Sequence, residues 1–255
     1  MDSPNVLFVG GVDSSHGAGL DADHDAALAF ECESHTIASA FTDQDLFEVR
    51  RVEERLLWNR EVEPLIEGDG VGAMKFGLLP GVASIVEAAR LIARTRHGAS
   101  PIPAVVDPVI RSSSGYRFWS DRELVSVRDS LLISGPILTP NLDELAELAW
   151  ADRAALDGDL DTRVDAARTI LRGGASAVVV KGGHGDSNED IHDLVLEAGG
   201  EPIWIERARE PGEGLRGSGC RFAAALACGL ARGSDLADAA RAAGDFVAQR
   251  IREAE

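Results

Sequence analysis

Four short segments of this chain carry residues able to handle charge, three of them together with glycine. The first is Pro211–Cys220, sequence PGEGLRGSGC, which runs directly into the small-residue stretch FAAALACGL at Phe222–Leu230. If a helix begins there, the backbone N–H groups of Gly217, Ser218, Gly219 and Cys220 converge at its N-terminus, a ready anion site. Cys220 would feel the positive end of that helix, which is expected to lower its thiol pKa from about 8.5. The second is Val180-Lys181-Gly182-Gly183-His184, where a lysine ends a buried strand and two glycines follow. A cation in that position is poorly explained as solvated decoration and reads as aimed at phosphate. The third is Thr139-Pro140-Asn141-Leu142-Asp143-Glu144. Asn141 can cap a helix with Glu144 one turn on, and the same pair could stand beside a hydrated Mg²⁺, which keeps waters between itself and carboxylates. The fourth is GGVDSSHGAG at Gly10–Gly19, a strand-to-helix turn with room for a ligand. It lacks the dinucleotide fingerprint spacing, and no Walker A sequence occurs in the chain.

These segments need a scaffold that brings them together. Short β-branched runs at Val6–Val9, Thr36–Phe41, Gly72–Phe76, Ala104–Asp107, Ile137–Thr139 and Ala177–Val180 read as buried strands. Helical spacing marks Leu20–Glu31, Val52–Ile66, Val82–Arg96, Asp121–Leu132, Leu142–Trp150 and Thr162–Leu171. A hairpin of His192–Glu197 and Pro202–Glu206 follows, then helices at Arg221–Arg232 and Asp235–Arg250. This alternation predicts one α/β domain over residues 1–255, with a mostly parallel central sheet and helices on both faces. In such sheets ligands bind beyond the carboxyl ends of the strands, which is where all four segments fall.

Composition narrows the partners. The formal charge of −18 opposes nucleic acid and anionic membranes. No apolar run reaches the roughly 18 residues of a spanning helix, and the opening MDSPNVLFVGG has no signal-peptide pattern. Cys32, Cys220 and Cys228 are too scattered for a disulfide framework or zinc site. A cytoplasmic protein is expected. Among 25 basic residues only Lys75 and Lys181 are lysine. Where arginine serves everywhere else, the surviving lysines are expected at positions that need a compact ammonium.

Taken in order, Gly11-x-Asp13-x-Ser15-x-Gly17-Ala18-Gly19-x-x-Ala22-Asp23, Gln44, Asp107-Pro108-Val109 with Ser114-Gly115, Thr139-Pro140-Asn141-x-x-Glu144, Lys181-Gly182-Gly183-His184 and Gly217-Ser218-Gly219-Cys220 resemble the hydroxymethylpyrimidine and phosphomethylpyrimidine kinases of the ribokinase-like superfamily. The resemblance implies a ribokinase-like fold, ATP and Mg²⁺, a homodimer, and phosphorylation of hydroxymethylpyrimidine or its monophosphate in thiamine biosynthesis. It places Gly11, Asp23 and Gln44 on the pyrimidine, and Lys181, Gly183, Asn141, Thr139 and Arg216 on ATP. It places Glu144 and Asp107 at the metal, and Gly217, Ser218, Gly219 and Cys220 at the transferring phosphoryl group, with Cys220 as base. His16, Asp45, Arg216 and Arg221 depart from the family pattern of glycine, asparagine, histidine and threonine. The two arginines read as added charge on the phosphate side. Alternatives are a pyridoxal-type kinase, whose substrate also carries a hydroxymethyl group, and a non-catalytic pyrimidine-binding protein of the same fold.

Overall fold

A computed structural model describes residues 3–45, 47–68, 70–97, 101–184, 190–210 and 215–254. Nine strands, β1 (Asn5–Asp13), β2 (Glu33–Gln44), β3 (Val49–Glu54), β4 (Val71–Phe76), β5 (Ala104–Val106), β6 (Ile137–Leu138), β7 (Ala177–Val180), β8 (Ile191–Glu197) and β9 (Ile203–Arg207), make one sheet. Their order is β3-β2-β1-β4-β5-β6-β7-β8-β9. The six strands from β2 to β7 along this order are parallel, while β3, β8 and β9 pair antiparallel at the two sides. The mostly parallel architecture expected from strand–helix alternation is therefore the one observed.

The helices divide between the faces. Helices α1 (Leu20–Ala29), α8 (Ser218–Ala231) and α9 (Leu236–Ala254) pack a core that contains Val6, Phe8, Val105, Val179 and Phe246. On the other face lie α2 (Asn59–Gly68), α3 (Val82–Arg96), α4 (Asp121–Ser126), α5 (Leu142–Ala149), α6 (Arg153–Gly158) and α7 (Leu160–Arg172), around Leu7, Met74, Trp119 and Val178. Helix α3 shows why such segments fold. Its buried Ile85, Ala88, Ala89, Leu91, Ile92 and Thr95 recur at helical spacing along one stripe. No helix among the described residues is long and apolar enough to cross a membrane.

Three expectations change. The segment from Val52 does not begin a helix: Val49–Glu54 is a strand, with Thr42 of β2 opposite Val52, and the helix starts at Asn59. Asp121–Leu132 is α-helical only to Ser126 and then widens through a π-turn, Val127–Leu131. Arg153–Gly158 adds a helix, capped by Asp152, that periodicity did not reveal.

The packing of α8 governs where the chemistry can sit. An ideal Cβ on Gly229 would lie 2.9 Å from the Ala239 Cβ of α9, and one on Gly72 would lie 3.2 Å from the Ala231 Cβ of α8. Small residues let α8 lie close to both the sheet and α9, so its N-terminus is set at the strand ends with little play. Gly229→Val is expected to force the helices apart and destabilise by about 1–3 kcal/mol. The check is a thermal melt, where a loss of roughly 2–10 °C in Tm is anticipated for a chain of this size.

Candidate active site

Hydrogen bonds just past the ends of the parallel strands align the site. Gly77 N–H donates to Val9 O (2.8 Å), Asp107 N–H to Phe76 O (2.9 Å), Thr139 N–H to Val106 O (3.0 Å) and Lys181 N–H to Pro140 O (2.9 Å). Each residue after its strand thus stands beside its neighbour along one edge. Asn141 also bridges to Lys181. The carboxyl-end loops therefore present Asp107, Thr139, Asn141 and Lys181 as a row.

Lys181 Nζ meets Asp107 Oδ1 at 2.7 Å and stands 4.0 Å from Glu144 Oε2. Thr139 Oγ1 donates weakly to the same Asp107 oxygen at 3.4 Å. Asn141 and Glu144 form a reciprocal cap: Glu144 N–H donates to Asn141 Oδ1 (2.9 Å), and Asn141 N–H donates to Glu144 Oε2 (2.8 Å). The capping reading of this motif is thus realised, and it also aims the carboxylate at Lys181. Burial pulls the Lys181 ammonium down, but Asp107 and then Glu144 hold it above its ordinary value. Glu144 is pushed up to about 8 by burial, against the pull of Lys181.

The N-terminus of α8 closes over this row. Gly217, its cap, has φ +74°, where a side chain would strain the backbone and come within 2.5 Å of Gly17 O. Ser218 N–H is spent on Leu215 O (3.1 Å), which leaves Gly219 and Cys220 as the first-turn donors. An ideal Cβ on Gly219 would lie 3.2 Å from Lys181 Nζ and 3.8 Å from Asp107 Oδ2. The glycine turn and the strand-end lysine are brought together. Residues 211–214, which open the same motif, lie outside the described residues, as does the His184 side chain.

Cys220 behaves differently from the expectation based on the helix dipole. Its thiol is pushed up to about 11 by burial, although Lys75 and the Gly19 amide pull the other way. The dipole of one helix end is worth at most about 2 kcal/mol, and desolvation outweighs it.

On the acceptor side, Gly11 ends against the Leu78 side chain, 3.1 Å from where a Cβ would stand. Gln44 stands at the end of β2 and helps to hold the Asp13 carboxyl below its ordinary value. Asp23 lies wholly buried on α1 and grips Lys75 Nζ through both oxygens, at 2.7 and 2.9 Å. Burial pushes Asp23 up to about 6, Lys75 opposing it. Burial also lowers Lys75, but Asp23 more than compensates and holds the ammonium above its usual value. Both lysines are sequestered against carboxylates, tight positions of the kind where their scarcity led a compact ammonium to be expected, yet Lys75 carried no other motif. The sequence reading also missed Asp193. Wholly buried on β8, it accepts Gly182 N–H (2.7 Å) and both Nε (3.0 Å) and Nη2 (2.7 Å) of Arg207. Arg209 Nη1 donates to Gly183 O (2.8 Å). The β8–β9 hairpin therefore holds the turn behind Lys181. An aspartate inside the apolar run IHDLVLE was its one signal in the sequence.

The departing residues find partners around the first loop. Arg216 meets Asp13 Oδ2 at 3.1 Å and donates to Ser15 Oγ at 2.6 Å. Arg221 donates to Asp25 Oδ2 (2.8 Å) and Arg216 O (3.0 Å), and Arg250 Nη2 donates to Asp25 Oδ1 (3.0 Å). Both arginines are engaged with the loop and α1 instead of standing in the row with Lys181. His16 has φ +59°, the left-handed region glycine tolerates, and its Nδ1 lies 2.7 Å from Asp21 Oδ2. Asp45 accepts Phe47 N–H (2.8 Å) and Glu48 N–H (3.0 Å), shaping the β2–β3 turn.

Strand-end loops, a glycine turn feeding a close-packed helix and a buried lysine–carboxylate row define a ribokinase-like small-molecule kinase. The sequence profile described as phosphomethylpyrimidine kinase matches residues 13–255, and the chain belongs to that family. A hydroxymethylpyrimidine/phosphomethylpyrimidine kinase of Streptomyces coelicolor is 35% identical over 255 residues, spanning 97% of this chain and 88% of that protein. A probable thiamine biosynthetic bifunctional enzyme of rice is 29% identical, spanning 97% of this chain and 44% of that one. Among solved structures, phosphomethylpyrimidine kinase from Clostridium difficile superposes with a TM-score of 0.80 at 25% identity, covering 98% of this chain and all of that one (100%). The ADP complex of Bacillus subtilis pyridoxal kinase gives 0.83 at 26%, covering 96% of this chain and 90% of that chain.

Lys75→Met would leave Asp23 buried without its cation, which costs about 3–5 kcal/mol. The sign of the pH dependence follows. With its folded pKa raised still further above the ordinary 3.8, Asp23 binds its proton more tightly in the folded state, so stability falls as pH rises between those values. Urea melts are expected to show a small deficit against wild type near pH 4 and the full deficit near pH 8. A companion Lys75→Met/Asp23→Leu variant should recover most of it.

Proposed function

We propose that this chain transfers the γ-phosphoryl group of ATP to the hydroxymethyl group of hydroxymethylpyrimidine or its monophosphate, a step of thiamine biosynthesis, and works as a cytoplasmic homodimer. The observation that carries the reading is the junction of Gly219, Lys181 and Asp107. There a buried ammonium and the first-turn amides of α8 meet at the strand ends, in a chain that belongs to a kinase family. Loose phosphoryl transfer asks chiefly for positioned positive charge and donors around the transferring group. Lys181 and the Gly219 and Cys220 N–H groups supply them, with Thr139, Asn141 and Gly183 shaping the nucleotide side.

Glu144 and Asp107 suit Mg²⁺. Among the described residues no three His, Cys, Asp or Glu side chains make a complete ligand set, and Mg²⁺ commonly binds through one or two carboxylates, waters and phosphates. Glu144, pushed up to about 8, is a carboxyl whose ionisation an added cation would favour. When bound, the metal would neutralise charge on the phosphates. On the acceptor side, Gly11 and Gln44 border the ring, whose edge the Gln44 amide can both donate to and accept from. Asp23 acts through Lys75, holding the ammonium near Cys220. The Arg216 bridge to Asp13 and Ser15 draws the first loop toward α8.

Coupled turnover assays with hydroxymethylpyrimidine, its monophosphate and pyridoxal test the acceptor. The pyrimidines are expected to lead, and preference for pyridoxal would assign a pyridoxal-type kinase, an alternative to which the structural likeness to pyridoxal kinase gives some support. No turnover with any acceptor would leave a binding protein. In the same assay Lys181→Arg should lower kcat/KM for ATP by at least about tenfold, because a fork-shaped guanidinium does not fit where a compact ammonium pairs with Asp107.

Cys220 is proposed to act through its minor thiolate form: the S–H proton leaves to solvent, and the thiolate takes the hydroxyl proton late, as phosphoryl transfer nears completion, since a thiol at about 11 is almost wholly protonated at neutral pH. Its thiolate fraction there is on the order of 10⁻⁴. Iodoacetamide labelling at Cys220, followed by mass spectrometry, should therefore accelerate about tenfold per pH unit up to pH 10. A plateau near pH 7 would instead show an activated thiolate.

A further inference from the structure

Strand β3 is the terminal strand on one side of the sheet. Its inner side pairs antiparallel with β2, Phe41 opposite Glu53, Thr42 opposite Val52 and Asp43 opposite Arg51. The bond from Arg55 N–H to Ser39 O (2.8 Å) sets the phase of that ladder. Residues 51, 53 and 55 turn their backbone groups toward β2, so Val52 and Glu54 turn theirs outward, while the register shift between Asp43 and Gln44 leaves Arg50 as the extra residue of a bulge. A free edge of this kind is a template for another strand.

The side chains along this edge are antisymmetric about Val52. Arg50 and Arg51 precede it, and Glu53 and Glu54 follow it. An antiparallel pairing of two copies about a twofold axis at Val52 sets Arg51 opposite Glu53 of the other copy and Arg50 opposite its Glu54. The outward backbone groups of the two Val52 residues then face one another in register. An axis at Arg51 would oppose two arginines, and one at Glu53 would oppose two glutamates, so charge selects Val52. Within one copy Arg51 already meets Glu53 at 3.0 Å, both largely exposed. Pairing therefore turns one solvated ion pair into a cluster of alternating charge. Glu54 accepts a bond from Ser84 Oγ (2.8 Å), so the Arg51–Glu53 match is the stronger of the two. Apolar groups flank the charges: Phe47 is 85% exposed before the strand, and Leu56 and Leu57 are 67% and 58% exposed after it. The same axis brings Phe47 toward Leu56 and Leu57 of the other copy.

Charge on an edge usually prevents pairing because like signs meet. Here the order of signs is self-complementary. We infer that β3 is the docking edge for a second copy of this chain, joined antiparallel about Val52 in an isologous contact. This inference rests on the homodimer reading and is independent of the phosphoryl chemistry.

Sedimentation velocity tests it, in about 0.15 M salt, where exposed charges more than about 8 Å apart are largely screened. Wild type is expected to form dimers. Arg51→Glu and Glu53→Arg each place like charges across the axis and should weaken dimerisation at least tenfold. An equimolar mixture of the two variants, and the Arg51→Glu/Glu53→Arg double variant, should each restore it. Restoration also shows that the single variants are folded. Wild type that stays monomeric overturns both the homodimer and this edge. Dimers that persist unchanged in both single variants overturn the edge alone and assign the homodimer to another face. A mixture that remains monomeric overturns the register about Val52.

Discussion

A buried ammonium needs a carboxylate within reach, and two such pairs organise the functional end of this molecule. Lys75 with Asp23 links strand β4 to α1, and Lys181 with Asp107 links the ends of β7 and β5. Isolated, each charge would cost several kcal/mol to bury. Held together, the pairs fix where the loops after the strands must run. The third carboxylate, Glu144, lies 4.0 Å from Lys181 and is the unmatched acid of the group. Burial therefore falls hardest on Glu144, the group best placed to exploit an incoming cation. The arrangement holds charge in reserve at the one place where a polyanion is to be handled.

That reserve depends on close packing elsewhere. The amides of α8 can reach Lys181 because small side chains run along the helix behind them, with Ala223, Ala224, Ala225, Ala227 and Cys228 all buried. Asp193 supplies the complementary constraint from the opposite side. It fixes Gly182 by a direct hydrogen bond and is itself held by Arg207, so the turn after Lys181 has few other conformations available. Position, more than reactivity, is what this scaffold provides. A thiol at about 11 agrees with that emphasis, because loose phosphoryl transfer demands little base strength before the bond to phosphorus is formed.

Much of this was legible because the informative residues are local. A glycine turn before an Ala-rich run, or a lysine closing a valine strand, declares itself within a few positions, and the parallel sheet then forces those positions together. The scarcity of lysine marked two positions that need a compact ammonium, but partners such as Asp23 and Asp193 lie far along the chain and no pattern names them. Strand β3 was misread for a related reason. An edge strand carries polar residues in succession, and VRRVEE followed by RLLW gives apolar spacing that a helix would also satisfy. Only pairing with β2 decides between them. The error over Cys220 was one of magnitude: the dipole was visible in the sequence, the desolvation was not.

The unusual residues of the first loop illustrate how departures accumulate as a set. Histidine at position 16 occupies left-handed backbone, a conformation that costs a residue with a Cβ roughly 1–2 kcal/mol. Its 2.7 Å contact with Asp21 offsets part of that cost. Arg216 then anchors the same loop from across the site through Asp13 and Ser15, and Arg221 holds the underlying α1 through Asp25. Burial works to raise Asp13, yet the Ser15 N–H, Gln44, the Ser15 hydroxyl and Arg216 together hold its carboxyl below the ordinary value. The pair is therefore charged on both sides across the neutral range. A chain with a net charge of −18 has many carboxylates available to recruit arginine. In this loop it uses them to tether the acceptor side to the helix that carries the phosphate-side amides, so that the stiffness introduced by His16 is coupled to the position of α8.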